Sequence, residues 1–431
     1  MTPLARARRP RDLPGWLAYL ETLHPKAIAL GLDRVRAVLA RLDAPIRCPV
    51  VTVTGTNGKG STSAMIETMW RAAGYRTGLY GSPHLMRYNE RVRVAGVEAS
   101  DEALVGALDA VEDARTSIEP AVPLTYFEFG TLAALHLFSR AGLDGLVLEV
   151  GLGGRLDAVN VIDAEVAVVT SIDLDHRDFL GDTRESVGRE KAGIFRRGRV
   201  VVCGDPDPPR SVVDEAARVG ANLLVRGRDF AATSEGAQWR YRGPGGNRYG
   251  LPMPALRGAP QLGNAACAIT AVDALRDRLP VPAGALREAL VSVELPGRFQ
   301  VLPGRPTRVL DVAHNPEAAR ALAASLGSMG FHPATFAVFG MLADKDIEAV
   351  ADAVRPAIDR WFVAPLPGPR GASAERLAQA LERSGVPREA IRLEADVGDA
   401  WRAALAAAGE ADRIVAFGSF LTVAAVLAAA R

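Results

Sequence analysis

The chain has 431 residues, 48% of them hydrophobic and 23% charged, with a formal net charge of +1. These values exclude a disordered polymer and leave no global field for nucleic acid or an anionic membrane, so any anionic ligand has to be held by a local site. Cys48, Cys203 and Cys267 stand apart with no CxxC pair, which fits reduced core thiols in a cytoplasmic protein rather than a disulfide framework.

In chain order, Met1–Arg11 is basic but lacks the apolar stretch of a secretory signal, and a helical pattern follows it. From Pro49 onward, short β-branched runs alternate with helical periodicity. Val50–Thr54, Thr77–Tyr80, Leu146–Val150 and Glu165–Ser171 read as buried parallel strands, with a helix over Ser61–Ala73. Residues 204–260 are rich in Gly, Pro and Arg and suggest a small β-rich extension, followed by a helix from about Asn264 to Asp277. A second α/β unit is expected from Pro296. Its strands are Arg308–Asp311, Thr335–Gly340, Arg360–Ala364, Ile391–Glu394 and Arg413–Phe417, and its helices start at Pro316, Asp346, Ser373, Asp399 and Leu421. The last of these, through Ala430, reads as a buried Ala-rich helix far too short to span a bilayer.

Val50–Thr54 runs into Gly55-Thr56-Asn57-Gly58-Lys59-Gly60-Ser61-Thr62 and then a helix. A strand, a Gly-rich turn and a helix N-terminus form a phosphate cradle. The glycines admit phosphate oxygens close to backbone N–H groups, the helix dipole favours the anion, and Lys59 adds a positive charge. Ser61 or Thr62 can offer a hydroxyl near Mg²⁺. The match to G-x-x-x-x-G-K-[ST] is incomplete: Gly60 follows the lysine, and Val53 stands at the first glycine. The expected architecture is α/β. A P-loop domain with a doubly wound, mostly parallel sheet spans residues 1–295, and a smaller Rossmann-like domain spans residues 296–431.

In such sheets the ligand sits beyond the carboxyl ends of the strands. Polar residues recur there: Gly81-Ser82-Pro83-His84 after one strand, Glu149 inside the apolar Leu146–Val150, and Asp173, Asp175 and His176 after Ser171. A carboxylate in an apolar strand is costly unless paired or metal-bound. Glu149 therefore reads as a Mg²⁺ ligand, with Ser82 and His176 as partners. Taken singly, each has a plain alternative as a turn or a structural side chain.

The ordered series of motifs resembles the bifunctional dihydrofolate synthase/folylpolyglutamate synthase family of the Mur ligase superfamily. It is carried by Gly55–Thr62, Ser82–Val92, Thr125–Gly130, Leu148–Asn160, Asp175–Phe195, Leu295–Gln300, Asp311–Pro316 and Gly340–Asp346. The resemblance implies that Lys191 is carbamylated and helps hold a second Mg²⁺. It also implies that Asn264, Arg298 and Asp311 bind ATP and that His314 lies near the nucleotide, where it is a catalytic candidate for the base that accepts the glutamate amine proton. Leu30-Gly31, Thr125-Tyr126-Phe127 and Leu156-Asp157-Ala158 would then line the dihydropteroate pocket. At Ala29 the chain departs from relatives that carry an acidic residue.

The implied reaction joins L-glutamate to dihydropteroate, and to tetrahydrofolate-type folates, through an acyl phosphate made from ATP. Lys59 and Mg²⁺ would neutralise charge on the transferring phosphoryl group. The second domain would supply glutamate contacts and a clamp on ATP, and the enzyme is expected to be a monomer acting on small molecules. Alternatives are folylpolyglutamate synthase activity alone, a Mur-type peptide ligase, or a P-loop NTPase switch. Only 54 residues precede Gly55, which argues against an additional UDP-binding domain, and no guanine-reading or partner-binding element supports a switch.

Overall fold

An unbroken run of Val and Thr makes Val50–Thr54 (β1) a strand buried along its whole length, the pattern of a strand covered on both faces. It is central in the computed structural model, which describes residues 9–26 and 28–430. The reading of Met1–Arg11 as lacking a signal lies largely outside these residues. The chain divides into two compact units. The first comprises Met1–Met253 and Leu262–Val293, and the second Pro254–Gln261 and Glu294–Arg431.

The remaining strands of the first unit's main sheet are β2 (Thr77–Tyr80), β3 (Val92–Val94), β4 (Val97–Glu98), β5 (Gly145–Glu149), β6 (Val166–Val169), β7 (Val200–Cys203) and β8 (Asn222–Val225). The order is β4-β3-β2-β5-β1-β6-β7-β8. Strands β2 to β8 across β5, β1, β6 and β7 are parallel, and β3 and β4 add antiparallel pairs at one edge. The connection after β1 runs to β2 on one side and that after β6 to β7 on the other. The carboxyl ends of β1 and β6 thus flank a topological switch point, where such sheets bind ligands.

The β-rich expectation for residues 204–260 needs correction in its first half. Arg210–Val219 is a helix with a strongly apolar face on Val212 and Ala216, and β8 completes the main sheet. The extension itself is an antiparallel sheet of β9 (Ala231–Glu235), β10 (Gln238–Arg242) and β11 (Arg248–Pro252). It is fastened to helix Gln261–Asp273, where the Arg248 guanidinium donates to both carboxylate oxygens of Asp273 at 2.7 and 2.6 Å. Tyr241 adds a 2.8 Å hydroxyl contact with Thr270.

The second unit is a six-stranded sheet of order β12-β13-β17-β14-β15-β16. Its strands are β12 (Gln300–Leu302), β13 (Thr307–Leu310), β14 (Thr335–Phe339), β15 (Arg360–Val363), β16 (Ile391–Leu393) and β17 (Arg413–Phe417). Only β12 runs antiparallel to its neighbour. The last helix, Phe420–Ala429, is one-sided rather than wholly buried: Val423 and Val426 enter the core while Leu421 is exposed. Among the described residues no helix is long and apolar enough to cross a membrane.

Gly55 shows how tightly β1 meets its neighbour. Its φ is +153°, and a Cβ there would lie 1.8 Å from the Thr170 hydroxyl. We predict that Gly55→Ala destabilises the chain by about 1–3 kcal/mol and abolishes nucleotide binding, measured by urea unfolding and ADP titration. Wild-type values in both would refute this packing argument.

Candidate nucleotide and acceptor site

The glycine-rich turn is held in place by the segment that follows β6. Thr56 N donates to the Ser171 carbonyl at 2.8 Å, and its hydroxyl donates to the Asp173 carbonyl at 2.9 Å. Asn57 N donates to the Ser171 hydroxyl at 3.0 Å, and the Asn57 carbonyl accepts from the Thr170 hydroxyl at 2.5 Å. Helix Lys59–Ala72 begins at once, so Lys59, Gly60, Ser61 and Thr62 form its first turn behind Gly58, whose φ is +83°. A helix start of this kind presents N–H groups to an anion. Lys59 curls back over the turn, its Nζ 2.9 Å from the Gly55 carbonyl and 3.2 Å from that of Thr56. Asn264 closes the other side: a Cβ on Gly58 would sit 2.6 Å from its Oδ1. Among the described residues, the buried Thr62 hydroxyl oxygen makes no hydrogen bond within the protein.

The metal candidates occupy neighbouring strand ends. Glu149 is the last residue of β5, 7% exposed, and opposes Val53 of β1 in register. Its Oε2 would lie 3.1 Å from a Cβ on Gly81, the residue before Ser82. His176 follows β6 on the segment that anchors the turn, with a left-handed φ of +50°. Lys191 is 2% exposed near the end of helix Arg184–Ala192. That helix end packs on the segment after β5, where Arg155 N donates to the Glu190 carbonyl and a Cβ on Gly154 would lie 3.0 Å from the Lys191 carbonyl. Glu190 pairs with Arg155. Among the described residues no three His, Cys, Asp or Glu side chains gather as a metal cluster. The carboxylate and hydroxyl oxygens named here suit a cation that prefers oxygen donors and few protein ligands.

The three candidate acceptor segments are stitched together. Gly31 N donates to the Leu156 carbonyl at 3.2 Å, which joins Leu30-Gly31 to Leu156-Asp157-Ala158. The Phe127 ring packs on Gly151, where a Cβ would come within 2.6 Å of it. Thr125 caps helix Tyr126–Arg140 and forms a reciprocal pair with Glu128. Glu128 also takes a two-pronged ion pair from Arg34 at 2.7 and 3.2 Å, and Arg34 donates to the Ala29 carbonyl at 2.5 Å. Sequence reasoning missed Arg34 and Glu128; they are 94 positions apart and no local pattern links them.

Asp157 lies on the segment after β5 that is tied to the root of the phosphate turn, where the Thr54 hydroxyl donates to the Gly153 carbonyl at 2.6 Å. Its carboxylate accepts from Leu152 N at 2.8 Å and Val159 N at 3.1 Å. Burial raises it to about 6, opposed by those backbone donors and by the charge of Lys59. A second unassigned group lies beside Tyr126. Arg91 Nε donates to His84 Nδ1 at 2.9 Å, and its guanidinium lies 5.2 Å from the Tyr88 ring centre and 5.7 Å from that of Tyr126. Burial, then the Arg91 charge, lowers His84 to about 4, so the ring is neutral at pH 7.

In the second unit Arg298, Asp311 and His314 form their own cluster. Asp311 accepts from Phe299 N and Ala313 N, both at 2.8 Å. Burial raises its pKa against the pull of Arg298, the two N–H donors and His314. The Arg298 guanidinium lies 4.9 Å from the Phe420 ring centre, and His314 Nδ1 is 2.8 Å from the Val312 carbonyl.

Asp157 also yields a pH test. A carboxyl that holds its proton more tightly folded than unfolded favours folding below pH 3.8 and loses that advantage as pH rises through 6. Compared with Asp157→Asn, the wild type should lose about 2–3 kcal/mol of relative stability between pH 3.5 and 7. Chemical unfolding at a series of pH values measures it, and a pH-independent difference would contradict the burial argument.

Residues 53–272 match the Mur ligase middle domain, and residues 297–420 match the Mur ligase glutamate ligase domain. The chain is 46% identical to the dihydrofolate synthase/folylpolyglutamate synthase of Escherichia coli (strain K12), over 96% of this chain and 94% of that relative. Its fold superposes on E. coli FolC in complex with DHPP and ADP with a TM-score of 0.91 and 45% identity, over 97% of both chains. A bifunctional folylpolyglutamate synthase/dihydrofolate synthase with Mn, AMPPNP and L-glutamate bound gives 0.90 at 45% identity, over 98% of this chain and all of the other.

Proposed function

Because this chain belongs to the Mur ligase family, and within it to the dihydrofolate synthase/folylpolyglutamate synthases, we propose that it is an ATP-dependent ligase. It joins L-glutamate to dihydropteroate and to tetrahydrofolate-type folates. The observation that carries this reading is geometric: Thr54, at the root of the phosphate turn, donates its hydroxyl to the Gly153 carbonyl at 2.6 Å, on the segment that runs on to buried Asp157. Asp157 belongs to the segment that Gly31 and Phe127 close over, so a nucleotide and an acceptor would share one site.

We assign the residues as follows. Gly55, Thr56, Asn57, Gly58, Lys59, Gly60, Ser61 and Thr62 take the phosphates of ATP, with Asn264, Arg298 and Asp311 as further nucleotide contacts. Leu30, Gly31, Thr125, Tyr126, Phe127, Leu156, Asp157 and Ala158 take the acceptor. Ser82, Glu149 and His176 would hold Mg²⁺, with carbamylated Lys191 at a second Mg²⁺; the bound cation supplies charge neutralisation on the phosphate oxygens. His314 lies near the nucleotide in this assignment. The domains are 1–295 for nucleotide and acceptor and 296–431 for glutamate ligation, in a cytoplasmic monomer.

A carboxylate does not form an amide unaided, because oxide is a poor leaving group. The acceptor carboxylate oxygen attacks the γ-phosphorus of ATP, and ADP leaves with the bonding electrons. The amine of glutamate then attacks the acyl carbon, a proton leaves the nitrogen, and phosphate departs. Lys59 and the backbone donors of the turn offset charge on the transferring phosphoryl group. Burial of the site slows hydrolysis of the acyl phosphate.

ADP release assayed separately with dihydropteroate, tetrahydrofolate and UDP-MurNAc acceptors tests the substrate class. Turnover is expected with the first two plus glutamate; full-rate hydrolysis without glutamate, or turnover with UDP-MurNAc alone, would reject the reading. Glu149→Gln should lower turnover by about a hundredfold while the melting temperature holds. Lys191→Ala should be similarly impaired and partly restored by short-chain carboxylic acids; unchanged activity in either variant would remove that residue from the metal site.

A further inference from the structure

Arg91 is a partly buried cation with an unusual set of neighbours. Its guanidinium rests against the rings of Tyr88 and Tyr126, and its Nε is spent on His84 Nδ1. Among the described residues no carboxylate pairs with it. Nearby acidic groups are otherwise engaged: Glu90 accepts from Leu85, Met86 and Arg87 N at 2.6–2.7 Å, and Asp157 accepts from Leu152 and Val159 N. Aromatic faces attract a guanidinium but do not neutralise it, and most of its five N–H donors remain for a ligand.

Its location says what that ligand is. The Arg91 carbonyl accepts from Gly81 N at 2.9 Å, and Gly81 sits between Ser82 and the Glu149 carboxylate. On its other side lies Tyr126, the first residue of the helix that Thr125 caps. The two rings are locked: Tyr88 and Tyr126 meet edge to face at 6.0 Å, and the Tyr88 hydroxyl fills the space a Cβ on Gly130 would need. The guanidinium is thus held between the acceptor segment and the strand end that carries Ser82.

We propose that Arg91 binds the carboxylate of the acceptor substrate, holding the oxygen that is to be phosphorylated in register with the phosphate turn. A guanidinium fork fits a carboxylate through two parallel hydrogen bonds, and Arg is superior to Lys at this geometry. The 2.9 Å hydrogen bond from Arg91 Nε to His84 Nδ1 orients the fork. This deepens the acceptor assignment above and rests on it.

The test is isothermal titration of the full chain, in the presence of ADP, with dihydropteroate and with its carboxamide analogue. Arg91→Met should weaken dihydropteroate binding by about tenfold to a hundredfold and leave the carboxamide and ADP affinities unchanged. Arg91→Lys, which keeps charge without the fork, should fall between wild type and Arg91→Met and guards against misfolding of the methionine variant. Equal weakening of both ligands would mean that Arg91 only packs the tyrosines, and a loss confined to ADP would mean that it holds phosphate; either overturns the proposal. If the wild type binds dihydropteroate no better than the carboxamide, the carboxylate role fails. If it binds neither, the acceptor assignment falls first and takes this one with it.

Discussion

Everything in the first unit is arranged around the mooring of one turn to another. Within the glycine-rich turn after β1, Lys59 reaches the Gly55 and Thr56 carbonyls, but the glycines themselves supply freedom rather than contacts. The turn's geometry comes from Thr170, Ser171 and Asp173 after β6, which hydrogen-bond to Thr56 and Asn57 at 2.5–3.0 Å. Gly55 has to be glycine because Thr170, the residue after β6, stands where a side chain would go. The parallel pairing of β1 with both β5 and β6 sets that spacing, and the same pairing brings Glu149 and the His176 segment to the strand ends on either side of β1.

The proposed acceptor side follows a different logic. It is made of three segments distant in sequence, and polar contacts rather than a continuous strand join them. The Gly31–Leu156 hydrogen bond, the Arg34–Glu128 pair and the Phe127 ring on Gly151 each tie two pieces together. Buried charges are compensated locally: Asp157 by backbone N–H groups and by Lys59, Glu128 by Arg34 and the Thr125 cap. Arg91 departs from this rule: among the described residues no carboxylate pairs with it, and that is the reason to give it a ligand.

The legible parts of the sequence were those written in local pattern. Val50–Thr54 and Arg413–Phe417 announce buried strands by their β-branched and aromatic content, and the structure has strands at both. Gly55–Thr62 announces a glycine-rich turn running from a strand into a helix, and the structure has that turn, with the helix beginning at Lys59. Short elements were lost where the pattern was too brief to count, as in β3, β4 and the antiparallel β12. Helix Arg210–Val219 was hidden by the Gly- and Pro-rich context around it, although its apolar face is clear once the helix is drawn. The acceptor residues came from family resemblance, because nothing in Thr125–Phe127 or Leu156–Ala158 alone predicts that they share a pocket. Arg34–Glu128 and Arg91 with Tyr126 are products of tertiary folding between segments far apart in the chain, and no periodicity records them.

The central claim is that the ends of β1, β2, β5 and β6 gather phosphate, cation and acceptor in one place. Anomalous diffraction from crystals grown with Mn²⁺ and a non-hydrolysable ATP analogue addresses it directly. The account predicts a manganese peak about 2–2.5 Å from oxygens of Glu149 or Ser82, with the analogue's phosphates on the Gly55–Lys59 turn. A peak remote from both residues, or phosphates seated away from Lys59, would contradict it.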